Sequence, residues 1–188
     1  MLTLRNKQRY FSINYMESTM QPIFILIRGN SGSGKTVLAK QLQQYFGYED
    51  CLLLQQDILR REILHTHDHV GTTTVNLLET LINFGVHHYK IIILEGILKK
   101  DVYGKMLNKI VQNFHNKAFV YYLDSPFSVT VRQNQLKENP FSILTLKKWW
   151  LPDDYLKNSK ERHLTNGNTQ DFFNQIIKDI TNSQFNNL

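Results

Sequence analysis

The stretch Gly29-Asn30-Ser31-Gly32-Ser33-Gly34-Lys35-Thr36 constrains this chain more than any other, and it follows the apolar run Pro22-Ile23-Phe24-Ile25-Leu26-Ile27. It fits G-x-x-x-x-G-K-[ST] at every fixed position. The β-branched and aromatic run before it reads as a buried parallel strand. Val37 to Leu42 after it reads as the opening of a helix. A Gly/Ser linker matching by chance would have neither flank.

The spacing has a chemical reason. A polyphosphate needs several backbone N–H donors aimed inward, so the loop must curl with little side-chain bulk. Gly29, Gly32 and Gly34 allow that curl, while Asn30, Ser31 and Ser33 complete the cradle. The next helix presents its positive dipole end to the phosphates. Lys35 is placed to reach the β- and γ-phosphates, and the Thr36 hydroxyl to ligate Mg²⁺. A nucleoside triphosphate is the expected ligand.

Taken in order, the chain alternates strand and helix. A helix is predicted from Gly34 to Phe46, ending near Gly47, then a strand over Cys51–Gln55 and a helical pattern over Ile58–Leu64. His65 to Gly71 breaks that pattern as a loop. Thr72 to Phe84 has apolar residues at helical spacing, and Tyr89–Leu94 is the most apolar strand. An amphipathic helix over Gly104–Asn116, a strand over Ala118–Leu123 and a helix over Phe127–Leu136 follow. Lys137 to Asp154 reads as irregular, Arg162–Thr165 as a short edge strand, and Gln170–Ile180 as a closing helix capped by Asn168 or Thr169. This order implies an α/β fold with a parallel five-stranded sheet covered on both faces. Ligands of such sheets bind at the carboxyl ends of the strands, which singles out the residues just past each strand.

With 188 residues and 41% hydrophobic content, one domain with one core is expected over 21–188. Residues 1–20 are polar, basic and weakly periodic, and read as an N-terminal extension, ordered or flexible, that carries no function. No apolar run has membrane-spanning length, and no secretory cleavage pattern opens the chain, so no membrane partner is expected. The single cysteine, Cys51, excludes an intramolecular disulfide and reads as a buried thiol in a cytoplasmic protein. The net charge of +6 attracts phosphorylated substrates or RNA, but the basic residues form no stripe, which disfavours a nucleic-acid partner.

Asp57 lies just past the second strand, with Arg60 and Arg61 one helical turn on. A carboxylate there can orient an acceptor hydroxyl and take its proton, and an arginine can hold a substrate anion. The same aspartate can also cap a helix. Glu95 ends the most apolar strand, where a carboxylate near a phosphate loop serves Mg²⁺, or merely ends the strand. Asp124 suits a turn or cap. His65, His67 and His69 alternate around Asp68 without a complementary cluster to complete a metal site. Trp149 and Trp150 suit packing against the sheet or stacking on a ring.

The order of loop, strand–Asp57–x–x–Arg60, strand–Glu95–Gly96 and strand–Asp124–x–Pro126 resembles small P-loop kinases, in the group of polynucleotide 5′-hydroxyl kinase, zeta-toxin and chloramphenicol phosphotransferase. The resemblance runs from about Ile23 to Tyr155 and implies a P-loop NTPase fold of sheet order 2-3-1-4-5. It implies an ATP-dependent phosphotransferase using Mg²⁺, with Asp57 as general base, Arg60 or Arg61 as substrate clamp and Glu95 near the metal. It also implies a small lid, about 132–150, whose arginine would be Arg132, although Gln133-Asn134-Gln135 offers no second one. The expected acceptor is a hydroxyl on a small molecule or nucleoside. A 5′-hydroxyl of nucleic acid, and a nucleotide-dependent switch without transfer, are the alternatives.

Overall fold

The computed structural model describes residues 21–136 and 138–185, and residues 1–20 lie outside it. Strand β1 (Ile23–Gly29) is buried along its whole length and sits at the centre of the sheet. Strands β2 (Cys51–Gln55), β3 (Ile91–Glu95), β4 (Ala118–Leu123) and β5 (Glu161–Leu164) join it in the order β2-β3-β1-β4-β5. Every pairing is parallel. The five strands therefore end together.

Side-chain alternation on β1 divides the core. Phe24 and Leu26 face one apolar layer, with Leu78 and Ile82 of helix α3 (Thr73–His88) and Leu107 and Val111 of α4 (Lys100–Asn113). Ile23, Ile25 and Ile27 face the other, with Leu38 and Leu42 of α1 (Lys35–Phe46) and Ile176 and Ile180 of α7 (Thr169–Phe185). A strand buried on both faces reads as an unbroken apolar run because both layers are helical. Cys51 is buried in the second layer, and burial pushes its thiol up to about 12. No helix among the described residues is long and apolar enough to cross a membrane.

The elements differ from expectation where distant groups set their ends. The helix expected to stop at Phe84 runs to His88, and Tyr89 closes it by donating its N–H to Gly85 O at 2.9 Å, so β3 starts at Ile91. Helix α4 starts at Lys100 rather than Gly104, because the Asp154 carboxylate accepts from the Lys100 N–H at 3.1 and 3.2 Å. The pattern over Ile58–Leu64 is one α turn, α2 (Gln56–Ile58), followed by a π turn, Leu59–Ile63. The stretch read as irregular contains helix α6 (Ile143–Trp149) after α5 (Phe127–Gln135). The edge strand β5 begins one residue earlier than expected, at Glu161.

Candidate active site

The glycine-rich loop leaves β1 at the carboxyl edge of the sheet. Gly29 has φ +144°, and a Cβ there would lie 2.6 Å from the Leu123 carbonyl oxygen of β4. Gly32 has φ +81°, and a Cβ there would lie 2.7 Å from the Thr130 carbonyl oxygen of α5. Both positions combine a left-handed backbone with neighbouring main chain, so a side chain is barred twice. Inside the loop the Lys35 ammonium donates to Asn30 O at 2.7 Å and to Ser33 Oγ at 3.4 Å.

Pairing register brings the acidic residue to the loop. Ile27 and Gln55 both stand opposite Glu95, so Glu95 lies between the ends of β1 and β2. Its buried carboxylate accepts from Thr36 Oγ1 at 3.0 Å and from Gln55 Nε2 at 3.1 Å, both on Oε1. A hydroxyl and a carboxylate placed this close are hard oxygen donors that fit Mg²⁺. Among the described residues no group of three or more His, Cys, Asp or Glu forms another metal site. The three histidines make none.

Asp57, in α2, holds two cations. Its Oδ1 pairs with the Arg60 guanidinium at 2.9 Å and with Arg61 Nε at 3.4 Å. Arg60 and Arg61 stand three and four positions on, the spacings that bring side chains together on one helical face, and the segment continues as a π turn over Leu59–Ile63. Arg60 is buried and also donates to Thr66 O at 3.2 Å, whereas Arg61 is exposed and lies 5.7 Å from the centre of the Trp149 ring. These residues line a cavity of about 650 Å³ with Ser31, His65, His67, Asp68, Ile97, Lys99, Phe141 and Trp149. The loop carrying the histidines is tied from below: Asp68 Oδ1 accepts from the buried Tyr103 hydroxyl at 2.5 Å, and Tyr103 Oη accepts from Gln56 Nε2 at 3.0 Å.

A second cavity, of about 430 Å³, lies over the loop's other side, lined by Gly32, Gly34, Lys35, Thr36, Val37, Gln133, Leu136 and Thr169. Arg132 is exposed on α5 next to Gln133. The structure thus gathers Lys35, Thr36, Glu95, Asp57, Arg60 and Arg61 around the loop. Arg132 lines neither of these cavities. Asp124 accepts from the Tyr155 hydroxyl at 2.8 Å, and Asn168 is the α7 cap, accepting from the N–H groups of Gln170 and Asp171.

Three features escaped the sequence. Arg28, just past the apolar run, is fully buried and pairs with Asp154 at 2.9 Å and Glu161 at 3.0 Å. It also donates to the Leu98 carbonyl from Nε and Nη2. The Asn30 side chain turns away from the loop, with Oδ1 accepting from Leu151 N at 2.8 Å and Nδ2 donating to Leu151 O at 2.9 Å. Lys99 lines the same cavity as Asp57. The lone basic residue ending β1 was the only sequence signal available for any of them.

The family model described as Zeta toxin matches residues 7–121 of this chain. Uridine kinases of two Clostridium perfringens strains are 31% and 32% identical to it, each over 42% of this chain and 53% of the relative. The chain thus spans about half the length of these curated relatives. Among solved structures, the Mycobacterium tuberculosis APS kinase CysC in complex with AMPPNP and APS aligns with a TM-score of 0.63 at 14% identity, covering 86% of this chain and 98% of the other. A gluconokinase from Sinorhizobium meliloti 1021 gives a TM-score of 0.59 at 12% identity, over 86% and 93%. At such identities the likeness establishes the α/β P-loop fold.

Proposed function

We propose that this chain, which belongs to the Zeta toxin family, is a kinase that moves the γ-phosphate of ATP to a hydroxyl of a small molecule or nucleoside. One observation carries the reading. The glycine-rich loop is the shared wall of two cavities: Gly32, Gly34, Lys35 and Thr36 face one, and Ser31 faces the other beside Asp57. A phosphoryl group held by the loop is then presented to a hydroxyl held by Asp57.

Each residue takes a role set by its place. Lys35 turns from Asn30 O toward the β- and γ-phosphates. Thr36 and Glu95 hold Mg²⁺, which when bound offsets phosphate charge. Asp57 keeps Oδ1 on Arg60 and Arg61 while Oδ2 orients the acceptor hydroxyl and takes its proton. Arg60 and Arg61 steady that carboxylate and face any anion on the acceptor. Arg132, on the helix whose Gln133 lines the nucleotide side, closes over the transferring group.

The test is transfer of labelled γ-phosphate from ATP to pooled hydroxyl metabolites, with uridine included on the strength of the uridine kinase relatives. A 5′-hydroxyl oligonucleotide runs separately, and Lys35→Ala serves as the control without a nucleotide site. Asp57→Asn is expected to keep binding ATP and to lose about 10²- to 10⁴-fold in transfer rate. Label on the oligonucleotide alone would move the acceptor to nucleic acid. Binding of ATP with no transfer to any acceptor would make the chain a nucleotide-dependent switch.

A further inference from the structure

The Asn30 carboxamide makes a two-point pairing with the backbone of one residue, accepting from the Leu151 N–H and donating to the Leu151 carbonyl. Its own main-chain carbonyl meanwhile accepts the Lys35 ammonium. Asn30 is buried, and a third contact, 3.4 Å from Nδ2 to Tyr122 Oη, fixes its ring-side edge. Leu151 directly follows Trp149 and Trp150. Trp149 lines the acceptor cavity and packs edge-on against Phe141 there, with ring centres 4.9 Å apart. Trp150 packs edge-on against Phe127, the first residue of α5. One residue of the loop therefore holds the phosphate-binding lysine through its backbone and the aromatic wall of the other cavity through its side chain.

We infer that Asn30 is a positioning residue that carries the Trp149 wall of the acceptor cavity on the phosphate-binding loop, so that nucleotide arriving at the loop resets that wall. The inference rests on reading the loop as the nucleotide site. Phosphate draws Lys35 away from Asn30 O, and the peptide planes flanking Asn30 turn as that bond is exchanged. A carboxamide bonded through both its oxygen and its nitrogen to the two peptides flanking Leu151 is a stiff link, so the turn reaches Leu151 and the two indoles before it. Other residues with a small polar side chain at this place would cradle phosphate equally well through their backbone, so the cradle alone does not require asparagine.

The only two tryptophans of the chain are the two indoles at issue, so emission excited at the red edge of the indole band, where the tyrosines do not absorb, reports on these two residues alone. The non-hydrolysable analogue AMPPNP with Mg²⁺ is titrated into the full chain while bound nucleotide is measured by equilibrium dialysis. Emission of the unaltered protein is expected to change along the binding curve. In Asn30→Leu, of similar shape but without hydrogen bonds, most of the emission change per bound nucleotide is expected to be lost. A merely stabilising role would lower Tm and leave that change per bound nucleotide intact, which would overturn the inference. Should Asn30→Leu fold poorly, amide exchange at Leu151 in the unaltered protein decides. Its rate is expected to shift by about fivefold on AMPPNP binding, the equivalent of one hydrogen bond, and an unchanged rate overturns the link. Absence of AMPPNP binding to the unaltered protein would overturn the nucleotide-site reading and this inference with it. Binding without an emission change would overturn the inference alone.

Discussion

Arg28 shows how much one residue can hold. It ends the run of β1 side chains, is fully buried, and ties together Leu98 after β3, Asp154 after α6 and Glu161 of β5. Burial holds the Asp154 carboxyl above its ordinary range, with Arg28 opposing that rise. Arg28→Met would leave the Glu161 side chain, 2% exposed, without its cation. Breaking such a pair costs about 3–5 kcal/mol, measurable as a loss of urea-unfolding free energy. The sign of its pH dependence follows from Asp154. A carboxyl raised on folding is stabilising when protonated and costly when ionised, and removing Arg28 deepens that cost. The deficit of Arg28→Met is therefore expected to be larger at pH 7 than near pH 4; an equal deficit at both would show that the carboxylates do not feel the arginine. The glycine-rich loop, Asp57 and Glu95 were legible because their chemistry is tied to strand ends. Arg28 and the Asn30 side chain were not, because their partners lie 70 or more positions away and two of them, Leu98 and Leu151, bond through main chain.

At the scale of elements, legibility followed burial. Strands β1 to β4 are apolar runs and were readable as such, whereas β5 is four residues of which only Leu164 is buried. That edge strand was still read to within one residue, whereas helix α6 went unread. It has seven residues, and with Ile143 and Leu144 exposed only Leu146 is buried, so its apolar residues mark no single core-facing stripe. The turn is held instead by its cap: Ser142 Oγ accepts from Thr145 N at 3.1 Å and shares a hydrogen bond with Thr145 Oγ1 at 2.9 Å. Ser142→Ala is expected to remove about 1 kcal/mol from this helix. With one buried side chain to resist fraying, the loss appears locally, as tryptic cleavage after the exposed Lys147 or Lys148 about fivefold faster than in the unaltered protein. Unchanged cleavage would mean that Asn30 and the Phe141–Trp149 pair, rather than the cap, hold the segment. The π turn belongs to a different class. Its residues have helical spacing, and nothing in their sequence separates a π turn from an α turn, so the turn's type became visible only in three dimensions, whereas the nearness of both arginines to Asp57 follows from their spacing.

The molecule as a whole is built on a sheet buried between two helical layers, and phenols and a thiol are packed into those layers. Tyr103, Tyr121 and Tyr122 are almost completely buried, as is Cys51. Burial raises all four groups; the Asp68 hydrogen bond adds to the rise of Tyr103, and the charge of Asp179 to that of Tyr121. Tyr122 is pushed up to about 12, with Arg28 opposing, and Cys51 to about 12. In the unfolded chain the thiol loses its proton near 9.0 and the phenols near 10.0. Above those values the unfolded state sheds protons that the folded state keeps, so stability present at lower pH is lost as pH rises. Each such group contributes about 1.4 kcal/mol per pH unit, and four together about 5 kcal/mol per unit once pH exceeds the ordinary phenol value. Against a total stability of about 5–15 kcal/mol for a domain, the chain is expected to hold steady from pH 7 to 8.5 and to unfold within one to three units above 10. Urea midpoints followed by far-UV circular dichroism across this range measure the slope. Tyr121→Phe, which removes one titrating group, is expected to make that slope shallower by about 1.4 kcal/mol per pH unit whatever it does to stability at neutral pH. A midpoint that stays flat to pH 11, or a slope unmoved by Tyr121→Phe, would mean that the buried hydroxyls titrate in the folded state as they do in water.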